Sequence, residues 1–334
     1  MRQKTKTIQD IARIAGVSTA TVSRALSAPA QVSESTRERV MLAVRQTGYQ
    51  VNHTARNLRR QRSGSILALV PNLANPFFSQ ILSGLAEVVA AEGYGLLIAD
   101  TQTDPDPAAR LFSYLDNRMA DGLVLFDGRL ADQRLAARPR VPVILACEWG
   151  DPALPSVRVN NAEGAALAVR HLVANGHRAI GLITGPAGNV LTESRLDGTR
   201  KAMTDAGLAL RPDWTFPGDF TLAAGVDAAQ RWMALDDRPT AVLCASDEMA
   251  CGFIGALQHA GHSVPDAVSV IGFDDIEVCG HLTPALTTIR QPRKEIGERA
   301  AELLVGMIAA QSLACTSQMI DVELIPRDSV RRLA

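Results

Sequence analysis

The 334-residue sequence has no run of about 18 apolar residues, which excludes a transmembrane helix. No apolar run follows the basic start MRQKTKTIQD either, so no signal peptide is expected and the cytoplasm is the expected location. Cysteine is scarce. The five present (Cys147, Cys244, Cys251, Cys279 and Cys315) are an odd number, form no C-x-x-C and have no histidine at zinc-ligand spacing. A structural metal site is therefore not expected, and buried reduced thiols are. The common catalytic signatures G-x-S-x-G, G-x-x-x-x-G-K, G-x-G-x-x-G and H-E-x-x-H are missing. His171, His177, His259, His262 and His281 are scattered or stand at helix ends. Neither an enzyme nor a cofactor is expected.

Apolar content is ample. Hydrophobic residues make up 47% and charged residues 21%, enough for large cores in two or three domains. The net charge of −1 conceals a strong segregation of sign. Residues 1–62 hold twelve Lys and Arg against Asp10, Glu34 and Glu38, a net of +9, and the remainder carries −10. A basic end on an acidic body points to a polyanion-binding module joined to a part with a different task.

Within the basic end, Thr7 is placed to cap a helix over IQDIARIA, with Asp10 at its third position. Ile8, Ile11, Ala12 and Ala15 form the apolar stripe. Gly16 breaks this helix, and Ser18 caps a second, TATVSRAL, whose Val22, Ala25 and Leu26 face inward. A third helix from about Ser33 to Thr47 supplies Val40, Ala43 and Val44, and Gly48 stops it. Ala12, Gly16 and Val22 are the small, turn and core positions of a helix-turn-helix. The second helix then exposes Thr19, Ala20, Thr21, Ser23 and Arg24, hydroxyls suited to phosphates and an arginine suited to guanine.

These blocks, TIQDIARIAGVSTATVSRAL, VSESTRERV and GYQVNHTARNL, resemble the amino terminus of the lactose-repressor family of bacterial transcription regulators. The resemblance implies that Thr19, Ala20 and Arg24 read base edges. Thr21, Ser23, Tyr49 and Asn52 would help fix the DNA backbone, with the caps Thr7 and Ser18 beside them. Asn52 to Arg62 resembles the family's hinge helix, in which Leu58 wedges into the minor groove and Arg59 assists as a cation.

After Ser63-Gly64, short apolar runs alternate with helical stretches. SILALV, YGLLIA, DGLVLF, VPVILA, AIGLIT, TAVLCA and SVIGF read as buried parallel strands, which implies a doubly wound α/β body with two lobes. The resemblance continues through NPFFSQILSGL, HLVANGHRAIGLITGP, SDEMACG, SVIGFDD and LTTIRQP, and implies a core like that of periplasmic sugar-binding proteins. The expected organisation is a helix-turn-helix domain at 1–48, a hinge at 49–63 and a core at 64–334. The near lobe is expected at about 64–161 and 291–317, the far lobe at about 162–290 and 318–334. A homodimer bound to double-stranded operator DNA is implied, with a small-molecule effector in the cleft.

Carried over residue by residue, the effector site comprises Phe77, Phe78, Cys147, Asn160, Asn189, Arg195, Phe220, Ser246 and Asp274. Cys147 stands where many members carry a sugar-binding aspartate, and Asn189 where members that read a purine base carry an arginine. STATVSRAL, PTAVLCASDEMA and MIDVELIPRDS are most similar to the cytidine-responsive branch, so a nucleoside effector is expected. A pentose or other sugar is the alternative ligand, and a transport-type solute-binding protein the alternative class.

Overall fold

A computed structural model gives the structure. It describes residues 6–49, 63–102, 105–131, 135, 141–150, 154–311 and 316–333. The chain divides into two compact units, Met1–Ser63 and Gly64–Ala334.

The described residues of the first unit form three α-helices, α1 (Ile8–Ala15), α2 (Thr19–Ser27) and α3 (Glu34–Thr47). Thr7 and Asp10 close a reciprocal capping box at the start of α1. Gly16 ends α1 at φ 65°, a left-handed conformation that glycine adopts without Cβ strain. Ser18 opens α2 by accepting from the Thr21 N–H at 3.1 Å. Ile11, Ala12, Ala15, Val22, Ala25, Val40 and Ala43 are buried together, with Ile8, Val17, Leu26 and Val44 packed at their edge. So small a core leaves each full burial, about 1.5–3 kcal/mol for a side chain the size of Val22, as a large share of the unit's stability. The hinge positions Asn52, Leu58 and Arg59 lie outside the described residues.

The second unit runs β1 (Ser65–Val70), α4 (Phe77–Ala91), β2 (Gly95–Asp100), α5 (Pro107–Asp116), β3 (Gly122–Leu125), β4 (Val143–Ala146) and β5 (Ser156–Val159). It continues with α6 (Asn161–Ala174), β6 (Ile180–Ile183), α7 (Val190–Asp205), β7 (Thr215–Phe216), α8 (Leu222–Met233), β8 (Ala241–Cys244), α9 (Asp247–His259) and β9 (Ser269–Asp274). The last elements are β10 (Thr287–Arg290), α10 (Arg293–Ala310), β11 (Gln318–Ile320) and β12 (Glu323–Ile325). Two six-stranded sheets result, in the orders β11-β5-β4-β3-β1-β2 and β12-β10-β9-β8-β6-β7. All pairs are parallel except β10 with β12. Helices cover the sheets, and at their contacts a side chain is sometimes impossible. A Cβ on Gly297 of α10 would stand 2.0 Å from the Ile81 carbonyl oxygen of α4.

The chain passes between the sheets after β5, after β10 and after β11. The third passage comes later than the sequence suggests: residues 318–320 pair with β5 in the near sheet, and only β12 joins the far one. The polar run around QMIDVEL offers no apolar signal to place that exchange. A second difference concerns β2. It lies at the sheet's edge, and Leu97 and Ile98 are exposed although their apolar run reads as a buried strand. Cys147, Cys244 and Cys279 are buried free thiols and Cys251 is half-buried, while Cys315 is outside the described residues. No described helix is long and apolar enough to cross a membrane.

Candidate DNA-reading helix and ligand cavity

Packing of α2 through Val22 and Ala25 turns its other side outward. Thr19, Ala20, Ser23 and Arg24 are exposed, as is Ser18, and Thr21 is half-buried with its hydroxyl 2.9 Å from that of Ser18. The Arg24 Nε donates to the Ala20 carbonyl at 3.4 Å, a weak bond within its own helix that costs little to exchange. Thr7 keeps its hydroxyl in the cap of α1. Tyr49 is half-buried against the three-helix core. A short helix with exposed hydroxyls and an arginine, in a unit of net positive charge, is chemically fitted to phosphates and base edges.

In the second unit a cavity of about 280 Å³ opens at the carboxyl ends of both sheets. Its lining comes from the segments that follow the strands: Asn72 and Asn75 after β1, Gln102 after β2, Phe126, Asp127 and Arg129 after β3, Cys147 and Glu148 after β4. The far lobe adds Pro186 after β6, Asp219 to Thr221 after β7, Ser246 after β8 and Asp274 at the end of β9. This is where open α/β sheets bind ligands, because strand order reverses there and helix amino termini converge.

Eight of the nine expected pocket residues line it: Phe77, Phe78, Cys147, Asn189, Arg195, Phe220, Ser246 and Asp274. Asn160 does not. Its side chain caps α6 by accepting from the Glu163 N–H, a task that keeps it at the lobe crossing. Phe77, Phe78 and Phe126 pack edge to face along the near wall, with ring centroids 5.1 and 5.5 Å apart. Phe220 stands on the far wall, 5.7 Å from the Arg195 guanidinium.

Arg195 is held firmly. Its Nε donates to Asn161 at 2.8 Å, another nitrogen donates to the Ala245 carbonyl, and the guanidinium stacks 3.8 Å from the Phe273 ring. The Asp274 carboxylate is 3.8 Å away, an ion pair too long for a hydrogen bond, so both groups retain capacity for a third partner. Gln291 donates to Asp274 at 2.7 Å. Burial pushes the Asp274 pKa up to about 7 against the pull of Arg195. Burial likewise lowers the Arg195 pKa and raises the Cys147 thiol, where Glu148 and Asp274 add to the rise. Glu148 was not anticipated from the sequence. Its place directly after an apolar strand run, where ligand-facing residues gather, was the available signal. Asp127, Arg129 and Gln102 were missed as well, since each sits in a loop with no motif. Among the described residues no cluster of His, Cys, Asp or Glu is arranged to hold a metal.

A helix-turn-helix unit followed by a two-lobed core with a ligand-sized cleft is the build of a DNA-binding transcriptional regulator. Comparison with known proteins makes this specific. Residues 7–52 match the family described as bacterial regulatory proteins, lacI family, and residues 169–330 match the periplasmic binding protein-like domain. The chain is 39% identical over 330 residues to the HTH-type transcriptional repressor CytR of Escherichia coli, covering 98% of this chain and 97% of that protein. It is 34% identical over 333 residues to the repressor PurR of Mannheimia succiniciproducens, covering 98% and 99%. The solved Lac repressor bound to ONPG superposes with a TM-score of 0.87 at 29% identity, covering 98% and 100%. The chain belongs to the LacI family and is a DNA-binding transcriptional repressor, like these relatives and not an enzyme.

Proposed function

We propose that this repressor acts as a homodimer on a palindromic operator of a catabolic or uptake operon, and that a nucleoside effector releases it. The observation that carries the effector class is the pairing of aromatic walls with a buried polar pair in one cavity. Phe78 and Phe220 offer faces to a base, and Arg195 with Asp274 offers a donor and an acceptor to ribose hydroxyls. Asp127, Glu148, Asp219 and Asp274 make the lining acid-rich, which suits a neutral ligand bearing donors and disfavours phosphorylated ones.

The dimer is supported by apolar side chains left exposed in a single copy: Leu97 and Ile98 on the β2 edge, Leu222 at the start of α8, and Val278. A solved relative, a Lac repressor dimer bound to operator and the anti-inducer ONPF, superposes with a TM-score of 0.86. Release follows from linkage. A ligand that favours one state of the core weakens operator binding by the factor by which operator weakens the ligand.

Titration calorimetry with cytidine, adenosine, inosine and ribose on wild type and Asp274→Ala tests the proposal. A nucleoside is expected to bind wild type more tightly than ribose does, because the free sugar leaves the aromatic faces uncovered. Asp274→Ala should abolish the signal. Tight ribose binding without any nucleoside signal would instead establish the pentose alternative.

A further inference from the structure

Glu148 enters the reading above only as one of the acids in the lining, yet its surroundings are unusually specific. It is 8% exposed and follows β4 in the near lobe. One carboxyl oxygen accepts from the Gly128 N–H at 2.7 Å, and the other accepts from the Asn189 side-chain amide at 2.7 Å. Asn189 caps α7 in the far lobe, so this carboxyl is held from both sides of the cleft. Gly128 has to be glycine for that approach, since a Cβ there would stand 2.3 Å from the Trp149 carbonyl oxygen. The two N–H donors fix Glu148 as an acceptor, and each oxygen keeps lone-pair capacity for one more donor. Asp127 adds a second acid nearby, and its partner Arg129 directs most of its side chain to solvent.

Resting on the nucleoside reading, we propose that Glu148, which lines the cavity, determines specificity for the base by accepting a hydrogen bond from an exocyclic amino group. The effector is then an amino-bearing nucleoside of the cytosine or adenine type. A keto base of the uracil or hypoxanthine type places an oxygen against the carboxylate with no proton between them. Sites built to bond a polar group reject the analogue lacking it far more strongly than apolar pockets reject a size change.

Calorimetry on the full chain with two matched pairs, cytidine with uridine and adenosine with inosine, tests this. For the ring size that fits, wild type is expected to prefer the amino member by roughly tenfold to a hundredfold, the value of one hydrogen bond to a charged group. Glu148→Gln, which replaces one acceptor oxygen by a donor, should narrow or invert that ratio. Equal binding of both members by wild type, or a ratio unmoved in Glu148→Gln, overturns the assignment. Should the variant not fold, the wild-type pairs decide alone. Nucleoside binding without amino preference removes only the role of Glu148, whereas no nucleoside binding at all removes the nucleoside reading as well.

Discussion

Replacing Asp274 by asparagine should make the unliganded protein more stable while weakening the effector site proposed above. Asp274 is buried, and its pKa stands at about 7 against an ordinary value of 3.8. Burial is the main cause, and the attraction of Arg195 at 3.8 Å does not offset it. The sign follows from proton linkage. The folded state holds the proton more tightly than the unfolded chain does, so the stabilisation is complete below the unfolded value and is lost as pH rises to the folded one. Between 3.8 and about 7 the loss is about 1.4 kcal/mol per pH unit, on the order of 4 kcal/mol in all. Asparagine keeps the shape and cannot ionise. The variant should therefore exceed wild type by about 2 kcal/mol at pH 5.5 and by up to about 4 kcal/mol at pH 8. At about 2–4 °C per kcal/mol for a unit of this size, the difference in Tm at pH 8 should approach 10 °C. Melting curves of both proteins at several pH values between 5.5 and 8.5 supply the measurement, and taking the difference cancels other titrating groups. A variant less stable than wild type at pH 8, or a gap that does not widen with pH, would refute the reasoning. It would mean that Arg195 holds Asp274 ionised and that the ion pair stabilises the fold.

Arg24→Ala should relax discrimination at one base pair of the operator by about 1–3 kcal/mol if the contact is bidentate, measured by binding to a set of single-substituted operators. An unaltered base preference would place Arg24 on phosphate alone. If Leu58 is the minor-groove wedge that the resemblance implies, Leu58→Ala should lower operator affinity and bending while leaving effector binding intact, because a wedge offsets unstacking costs of a few kcal/mol only on DNA. Circular-permutation gel shifts and calorimetry read the two properties separately, and equal bending in both proteins would remove the wedge role from Leu58. Gly297→Ala should cost at least about 1–3 kcal/mol in denaturant unfolding, since its Cβ would stand 2.0 Å from a backbone oxygen of α4 and the helices have to separate. Stability equal to wild type would show that the two helices adjust freely.

The three-helix unit was legible residue by residue because its signals are local. Thr7 with Asp10, Gly16, Ser18 and Gly48 are caps, and caps are set by the few residues around them. In the core, the seven apolar runs marked β1, β2, β3, β4, β6, β8 and β9, yet five strands among the described residues escaped. Strand β5 reads SVRV and β10 reads TTIR; each mixes polar residues into the run. Thr287 and Thr288 are nevertheless fully buried, because Arg327 N donates to one and the other donates to Asp247. Those partners lie 40 and 41 residues away, beyond the reach of any periodicity argument. Asn160 was placed in the site by family position alone; its side chain accepts from the Glu163 N–H and does not line the cavity.

What no sequence pattern announces is backbone strain, and three of the six non-glycine residues with positive φ among the described residues stand at the cavity. Cys147 at φ 71°, Phe220 at φ 67° and Asp274 at φ 125° adopt positive φ without being glycine, and all three line the cleft. Each conformation costs on the order of 1–3 kcal/mol and persists only where surrounding contacts over-determine it. Those contacts are visible. Cys147 N donates to Val157 O at 2.8 Å, Gln291 grips the Asp274 carboxylate, and Gly185 leaves room for the Phe220 ring. Since each strained residue falls within a few positions of the end of its strand, the reversed φ re-aims the side chain there instead of letting the strand continue. The Asp274 charge, raised in pKa by its burial, adds an electrostatic cost at one of these points. A fold selected for stability alone would place glycine or asparagine at such positions. Their occupation by a thiol, an aromatic ring and a carboxylate concentrates these costs at the cavity proposed to take the effector, and the Asp274→Asn substitution expected to stabilise this protein lies there.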